Sequence, residues 1–320
     1  MIRAAFVGNK EERKTILEAL AWHNEMFQQK VKAGTRVPRS FSRFKTTVDK
    51  LKAFFKYQYK ISDMPLANIK AAFAEDFAHY LMVVDKLEHN TAMKYVSNVK
   101  KVLGIAAQKE WIPRNPINDF KCTYYNPERN VLQEADLKRM IEKKMPVKRL
   151  EEVRDCFILM CYTGFAYNDA ASLSPDDIKL MIDGNRWLVK PRTKTNVRES
   201  VPILPMVETL INKYSTHPYC IANNKLFPFN SNQKMNAYLK EVGDICKLPF
   251  PLTTHLARHT FATSITLANG VPLETVQVLL GHRSIRTTQI YAKVLGKKVS
   301  DDMALLKIKL TETCEIKKVK

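Results

Sequence analysis

Glycine, clustered cysteines and long apolar runs are all scarce in this sequence. Only 9 of its 320 residues are glycine, and few glycines combined with long segments of helical periodicity predict a mostly helical protein. The six cysteines lie scattered, none of them in a Cys-x-x-Cys pair, at Cys122, Cys156, Cys161, Cys220, Cys246 and Cys314. A disulfide framework and a zinc site are therefore not indicated, and a reducing intracellular compartment fits best. The absence of any run of 18 apolar residues argues against a transmembrane helix.

Positive charge is what the chain has in excess. Lysine and arginine number 52 against 32 acidic residues, which gives a net charge of +20 and a pI near 9.6. Residues 1–130 carry 23 basic and 13 acidic residues and residues 131–320 carry 29 and 19, so each part has a net charge of +10. A generic basic protein remains the alternative, but this even distribution favours a polyanion, such as a nucleic acid, that contacts both parts.

Four stretches of helical periodicity occupy the first third of the chain, at residues 10–31, 40–59, 66–86 and 90–111. In the second stretch one apolar stripe is formed by Phe41, Phe44, Val48, Leu51 and Phe55. Basic residues on the opposite faces of these helices predict a bundle with a basic exterior. The candidate nucleic-acid contacts on that exterior are Arg43, Lys45, Lys52, Lys56, Lys100 and Lys101.

Two later segments break this helical pattern. Residues 117–132 are polar and aromatic with one proline, which is typical of an interdomain linker. Residues 178–204 contain three short apolar runs separated by turn residues, which predicts a three-stranded antiparallel meander. Because the remaining sequence after residue 133 has helical character, we expect a mainly α protein with a small antiparallel β-meander, an α+β fold.

Residues 253–293 are the most informative part of the sequence. Thr253 or Thr254 can cap a helix on which His255 and Arg258 share one face, since they are three residues apart. A shorter helix then ends at Gly281, the next residue is His282, and Tyr291 follows nine residues after that histidine. A lone histidine on a helix is more often structural than catalytic, so it is the order of these residues that indicates a function.

These strings resemble the sequence boxes of the tyrosine recombinases, the phage-integrase family. HLARHTFAT at 255–263 is similar to the family's HxLRHTFAT box, and LLGHRSIRTTQIY at 279–291 is similar to its LLGHSSIxTTxxY box. MCYTGF at 160–165 resembles the start of the TGLR box. The resemblance covers roughly residues 36–293, and its details look most like the integrases of Bacteroidetes-type conjugative transposons.

The resemblance implies a division of the chain. Residues 36–116 would form a SAM-like core-binding helical bundle, 117–132 the linker, and 133–320 the catalytic domain with a C-terminal tail. Residues 1–35 would be a helical extension, which is either a remnant of an arm-binding domain or the start of a chain that is truncated or that naturally lacks this domain. The apolar residues of the tail would dock on a neighbouring protomer or on their own domain.

The resemblance also implies roles for individual residues. Tyr291 would attack a DNA phosphate and form a 3′-phosphotyrosyl bond, which is covalent catalysis. Arg258 would bind the phosphate oxygens with its planar guanidinium, and His255 and His282 would bind the phosphate or carry the tyrosine proton. Lys194, in the turn of the meander, would protonate the leaving 5′ oxygen. No metal or other cofactor is implied.

The sequence departs from the family pattern at Ala166, where the family has an arginine. Either the site is inactive and only DNA binding remains, or another cation replaces the missing one. Arg192 is our candidate for the substitute, because residues i and i+2 of a strand share a face and it stands two residues before Lys194. We expect Asp169 to orient its neighbours rather than to react, and His259 to be structural.

The implied partners are double-stranded DNA attachment sites and other copies of the chain. The working synapse would be a homotetramer that exchanges strands through a Holliday junction, with a monomer or weak dimer when free. A directionality factor or a DNA-bending protein is a further expected partner, and the expected location is the bacterial cytoplasm near the nucleoid. Two rival interpretations are a catalytically silent DNA-binding protein of the same fold and a type IB topoisomerase-like enzyme.

Overall fold

A computed structural model describes residues 14–36, 38–126, 129–193 and 197–292, together with 303–304, 306–308 and 310. The chain divides into two compact units, Met1–Pro127 and Glu128–Lys320, and the division falls within the predicted linker. Within these described ranges, no helix is long and apolar enough to cross a membrane.

The described part of the first unit contains four α-helices. They are α1 (Ile16–Lys32), α2 (Pro38–Phe54), α3 (Phe73–His79) and α4 (His89–Gln108). A π-helical segment continues α2 over Phe55–Tyr59 and another continues α3 over Tyr80–Val84, and a 3-10 turn lies at Leu66–Asn68. The apolar faces of these elements share one core, as amphipathic helices require.

Helix α1 is part of this core. Thr15 caps it in a reciprocal arrangement, in which the Thr15 hydroxyl accepts a bond from the Glu18 amide and the Glu18 carboxylate accepts one from the Thr15 amide. Such a cap contributes about 1 kcal/mol to helix stability. Ile16 and Leu20 are fully buried in the same cluster as residues of α2 and α4. The described part of the predicted extension at 1–35 therefore packs within the bundle rather than apart from it.

The prediction of one continuous helix over 66–86 is wrong. The backbone leaves the helical region at Ile69, where φ is −75° and ψ is 118°, and α3 starts only at Phe73. Leu66, three residues before this break, and Ile69, at the break itself, are both buried. Packing of these two side chains thus decides the local backbone here, although the sequence periodicity favours a helix.

The beginning of the predicted linker is bonded to α4. Asn90 exchanges two hydrogen bonds with the backbone of Tyr125, at 2.7 and 2.9 Å. Lys100 donates to the carbonyl of Phe120 at 2.9 Å, and Ile117 is buried in the first core. The predicted linker therefore stays hydrogen-bonded to the first unit as far as Tyr125.

The second unit contains nine α-helices among the residues described. They are α5 (Glu134–Glu142), α6 (Lys148–Thr163), α7 (Tyr167–Ala171), α8 (Pro205–Tyr214), α9 (Pro218–Asn223), α10 (Asn232–Ile245), α11 (Thr254–Thr260), α12 (Leu273–Leu279) and α13 (Ile285–Ala292). Eleven of the 16 residues of α6 are buried, and α6 packs against α5, α8, α10 and α11. A helix that is buried on all sides lies at the centre of its domain, so α6 organises this core.

A three-stranded antiparallel sheet accompanies these helices, in the order β1 (Ile178–Leu180), β2 (Arg186–Pro191) and β3 (Arg198–Pro202). Leu188 of β2 stands opposite Ile178 on one side and Val201 on the other, and Leu188 and Val201 are buried in the second core. The pairing continues to Arg192, whose amide donates to the carbonyl of Val197 at 2.8 Å. The predicted fold class, mainly helical with a small antiparallel meander, is confirmed.

Candidate active site

Helix α11 carries three of the residues that the sequence singles out. It begins after Thr253, whose hydroxyl accepts a hydrogen bond from the Leu256 amide at 3.3 Å. The helix then places Arg258 and His259 in the interior and leaves His255 exposed. A threonine cap therefore fixes where the helix starts and thereby which of its residues face the core.

Arg258 is the most heavily bonded of these residues, and only 2% of it is exposed. Its Nη1 donates to the carbonyl of Gly164 at 2.6 Å and to Oε1 of Glu199 at 3.0 Å, and its Nη2 donates to the carbonyl of Leu280. These partners come from the end of α6, from β3 and from the end of α12. The guanidinium is thus held at a fixed position by three separate elements.

Two glycines make this close approach possible. Gly164 and Gly281 both have positive φ, +70° and +56°. A Cβ on Gly164 would lie 2.4 Å from the Phe261 ring, and one on Gly281 would lie 2.8 Å from Cγ of Glu199. Glycine is required at both positions because any side chain would meet strain and a clash.

Tyr291 lies on α13 between two histidine rings, and only 4% of it is exposed. The His282 ring is stacked parallel to it with centroids 6.3 Å apart, and the His259 ring is tilted against it at 5.3 Å. The His255 ring meets His259 edge-on at 4.5 Å. Burial raises the pKa of Tyr291, while the positive charges of Arg258, Arg129 and Arg192 act in the opposite direction.

Two histidines of this cluster, the half-buried His282 and the buried His259, are held neutral. Burial, followed by the charges of Arg258 and Arg192, lowers the pKa of His282 to about 4. Its Nδ1 lies 2.9 Å from Oγ1 of Thr288, and its backbone amide donates to the carbonyl of Gln277. At neutral pH this imidazole is therefore able both to donate and to accept one hydrogen bond.

His259 is fixed in one tautomer by Arg129. Nη1 of Arg129 lies 3.0 Å from Nε2 of His259, and because arginine can only donate, Nε2 is the acceptor and the ring proton is on Nδ1. Burial, then the charges of His255, Arg129 and Arg258, lowers the pKa of His259 to about 3. Its Nδ1 is buried and has no hydrogen-bond partner in the described part of the chain.

A second arginine lies beside Arg258. Nε of Arg192 lies 3.6 Å from Oε1 of Glu199, the same oxygen that accepts from Arg258. Burial and the charge of Arg258 lower the pKa of Arg192, whereas Glu199, Asp169 and Tyr291 raise it. Asp169 is buried and accepts two hydrogen bonds from Thr193, at 2.9 Å to the amide and 2.6 Å to the hydroxyl. This geometry combines a tyrosine hydroxyl, two guanidiniums and neutral imidazoles, which suits the attack of a phenol on an anionic ester.

Comparison with known sequences identifies this arrangement. The phage integrase family profile matches residues 130–297, and the SAM-like domain of phage integrases matches residues 19–122. The first match alone covers more than half of the chain. The chain belongs to the phage integrase family. It is an enzyme of the tyrosine-type site-specific recombinase class, as the sequence boxes predict.

Its relatives include two tyrosine recombinases named XerC. The protein from Pediococcus pentosaceus is 26% identical over 251 residues, which cover 69% of this chain and 81% of that protein. The protein from Rickettsia canadensis is 32% identical over 161 residues, which cover 48% of this chain and 51% of that protein. The narrower resemblance to Bacteroidetes-type conjugative-transposon integrases stays a prediction.

Three solved structures share the fold of this integrase-family chain. A lambda integrase dimer on a COC′ core site has a TM-score of 0.70 at 16% identity and covers 88% of this chain and 97% of its own. A lambda integrase tetramer on a Holliday junction has a TM-score of 0.68 at 16% identity, covering 88% and 78%. XerH recombinase in a post-cleavage complex with difH has a TM-score of 0.68 at 15% identity, covering 93% and 98%.

The fold brings most of the predicted integrase-family site residues together. Arg258, His255, His282 and Tyr291 form one cluster with His259 at its centre. Arg192 joins this cluster through Glu199, and Asp169 supports the same hairpin. Lys194 lies outside the described residues, so its predicted role stays a prediction. Ala166 is the residue before α7 and has no cationic side chain to offer.

The predicted cations of the first unit are mostly exposed on α2 and α4. Arg43, Lys52 and Lys56 are exposed, as are Lys45 and Lys101. The last two stand over the rings of Phe41 and Phe44, with Nζ 4.8 and 5.5 Å from the ring centroids. Lys100 is half-buried and is engaged with the carbonyl of Phe120.

Two residues of the site, Glu199 and Arg129, are not among those predicted from the sequence. Glu199 leaves a visible trace, because it is the one charged residue on the alternating face formed by Val197, Val201 and Ile203. A glutamate at a core-facing strand position requires a buried cationic partner. Arg129 leaves no such trace, since nothing in the polar linker distinguishes it from the other basic residue there, Lys121.

Proposed function

We propose that this chain cuts and rejoins duplex DNA at specific sites through a covalent bond between Tyr291 and a 3′ phosphate. One observation carries the proposal: the Tyr291 ring is buried between His282 and His259 and within the positive field of Arg258. A buried tyrosine so placed has a fixed trajectory and cationic groups ready for a phosphodiester.

The chemical step is a transesterification without redox change. The phenolic oxygen of Tyr291 forms a bond to phosphorus, the bond from phosphorus to the 5′ oxygen breaks, and the phenolic proton passes to an imidazole nitrogen of His282 or His255. The departing 5′ oxygen takes a proton from Lys194. Reversal of the step with a different 5′ hydroxyl joins a new strand, so the phosphotyrosyl bond conserves the energy needed for rejoining.

Arg258 supplies the main charge stabilisation in this mechanism. Its guanidinium is already oriented by Gly164, Glu199 and Leu280, so little reorganisation is needed when the phosphate becomes more negative. Arg192 provides the second cation in place of the arginine that is missing at Ala166. Its position beside Arg258, on the shared carboxylate of Glu199, supports this substitution.

The first unit would act as the core-binding module. Its match to the phage integrase SAM-like domain and its exposed basic residues support this role. The net charge of +10 in each part of the chain is consistent with phosphate contacts from both units. We assign the DNA contacts to Arg43, Lys45, Lys52, Lys56, Lys100 and Lys101.

The working assembly would be a tetramer on two DNA sites, passing through a Holliday junction. The structural likeness to the lambda integrase tetramer on such a junction supports this assembly. Integration or excision of a mobile element, assisted by a directionality or DNA-bending factor, is the biological setting we propose for it.

Covalent trapping tests the proposed function. The purified chain is incubated with nicked suicide duplexes that tile the DNA flanking its own gene, and adducts resistant to SDS are counted. We expect one or a few fragments to give an adduct that Tyr291→Phe abolishes without weakening DNA binding. The tyrosine hydroxyl is then the nucleophile, because only that atom has been removed.

A different outcome points to the rival functions. Tight, salt-sensitive binding without an adduct on any fragment would favour the silent DNA-binding protein, which the alanine at position 166 would then explain. Relaxation of supercoiled plasmid without sequence preference would instead favour a topoisomerase-like activity.

A further inference from the structure

A buried carboxylate lies beneath the two arginines of the active site. Glu199 is 0% exposed, and its Oε1 lies 3.0 Å from Nη1 of Arg258 and 3.6 Å from Nε of Arg192. Neither its other oxygen, Oε2, nor Nε of Arg192 has a hydrogen-bond partner among the described residues, so Arg192 meets the carboxylate as an ion pair without a hydrogen bond. A carboxylate in a site built to bind a phosphate repels that ligand, so its presence there requires a compensating role.

The position of Glu199 is tightly constrained. Its Cγ lies 2.8 Å from the point that a Cβ on Gly281 would occupy, so the side chain packs directly against the turn that precedes His282. On the chain it belongs to β3, opposite Lys190 of β2. Glu199 therefore joins the hairpin that carries Arg192 to the turn that carries His282.

We propose that Glu199 is a positioning residue that holds Arg192 beside Arg258, so that the two guanidiniums act as one phosphate-binding pair. The inference rests on the proposed cleavage reaction and extends it to the missing arginine at Ala166. Two guanidiniums repel each other at short range, and a carboxylate shared between them offsets that repulsion. Without Glu199, Arg192 has no group on β3 to hold it next to its like-charged neighbour.

Among the described residues, further charged and titratable groups lie near this pair. Asp169 adds a second negative charge near Arg192 and Glu199, and Tyr291 faces both arginines. Burial raises the pKa of Glu199, and the two arginines counteract that effect. Removing the negative charge of Glu199 should therefore make the site more positive but less ordered.

These opposite effects on charge and on order can be tested by substituting Glu199. With a suicide substrate that the wild-type chain cleaves, we expect Glu199→Gln to slow single-turnover adduct formation by about tenfold or more. We expect DNA affinity to stay equal or to increase, because a negative charge near the phosphate has been lost. Glu199→Asp, which keeps the charge on a shorter side chain, should retain more activity than Glu199→Gln.

A double-mutant cycle isolates the pair. Arg192→Met should slow cleavage to a similar extent, and the combination with Glu199→Gln should add little further loss, because both changes remove the same arrangement. Glu208→Gln is the matched control, since Glu208 pairs with Arg186 at the surface and should leave cleavage unchanged. Fully additive losses, or an unchanged rate in Glu199→Gln, would overturn the inference. So would a parallel loss of binding and cleavage, which indicates support of the fold alone.

A measurement without DNA separates this inference from the proposed function. In the full chain with 15N-labelled arginine, we expect slowly exchanging side-chain N–H signals for Arg258, which is hydrogen-bonded, and for Arg192, whose Nε is buried and faces Oε1 of Glu199 as an ion pair. The Arg192 signal should be lost in Glu199→Gln and kept in Glu208→Gln. If the wild type forms no adduct but this loss occurs, the proposed function fails and the positioning role stands. If the wild type cleaves and the Arg192 signal persists in Glu199→Gln, the positioning role fails.

Discussion

The two units carry the same net charge but place their cations differently. In the first unit the basic residues are mostly exposed on helix surfaces, and some lie over aromatic rings, as Lys45 does over Phe41. In the second unit Arg258 is buried and Arg192 is partly buried, and both face the buried carboxylate of Glu199. Equal charge therefore serves two physical purposes.

This difference indicates which property, DNA binding or the rate of cleavage, each unit controls. An exposed lysine keeps its hydration and its mobility, so it contributes to affinity in a way that salt weakens. A buried guanidinium has lost that freedom during folding, so it presents fixed donors when the reaction needs them. We expect changes in the first unit to alter binding, and changes in the second to alter the rate of cleavage.

The largest expected effect comes from Arg258→Lys. Lysine keeps the charge but cannot reach Gly164, Glu199 and Leu280 with one planar group, so cleavage should fall on the order of a hundredfold or more while DNA binding changes little. Single-turnover adduct formation at saturating protein measures the rate. Arg139→Lys, at a surface pair with Asp136, is the control. A rate within a few-fold of the wild type in Arg258→Lys would contradict the expectation that the second unit controls the rate of cleavage.

A pH effect on stability is expected next in size. The pKa of His282 is lowered to about 4 in the folded chain, against an ordinary value of 6.5, so the unfolded chain binds more protons between these limits. The histidine's contribution to the free energy of unfolding is therefore complete above about pH 6.5 and decreases as the pH falls towards 4. Urea unfolding at pH 7 and pH 5 measures this decrease.

The control for the pH experiment is His282→Asn. The raised pKa of Glu199 acts in the opposite direction, so the difference between wild type and variant isolates the histidine. The variant should lose less stability than the wild type between pH 7 and pH 5. Equal losses in the two proteins would contradict the neutral state of His282 in the folded chain.

The smallest expected effect belongs to single lysines of the first unit. Lys52→Gln should weaken DNA binding a few-fold and reduce the salt dependence by about one counterion, with the cleavage rate at saturation unchanged. Lys52→Arg keeps the charge and should bind as the wild type does. Titrations at several salt concentrations measure both. A lower saturated rate in Lys52→Gln would show that the first unit also affects chemistry.

Local sequence patterns were sufficient to predict several elements of the structure. Three local signals act within a few residues of where they stand. They are the Thr253 cap of α11, Gly281 before His282, and the turn residues of the meander. Because their effects are short-range, both the α11 start and the three-strand order could be predicted. The order of the boxes then indicated which side chains would meet at Tyr291.

Features that depend on distant contacts could not be predicted in the same way. The break at Ile69 follows from packing of the core, which a helical periodicity does not encode. The bond from Arg129 to His259 joins residues 130 positions apart, and the pairing of Glu199 with Arg258 spans 59. Only the folded chain brings such residues into contact. A glutamate on an apolar strand face does indicate a buried cationic partner, but it does not identify that partner.

Arg258 closes two helices in addition to the phosphate-binding role proposed for it. Its guanidinium bonds the carbonyls of Gly164 and Leu280, which are the residues that cap the C-terminal ends of α6 and α12. Carbonyls at such ends lack partners within their own helix and are stabilised by a cation. A lineage that ceased to cut DNA would therefore still be selected to keep this arginine for folding. Neither carbonyl bond involves the hydroxyl of Tyr291, so Tyr291→Phe would remove that hydroxyl and leave both helix ends closed.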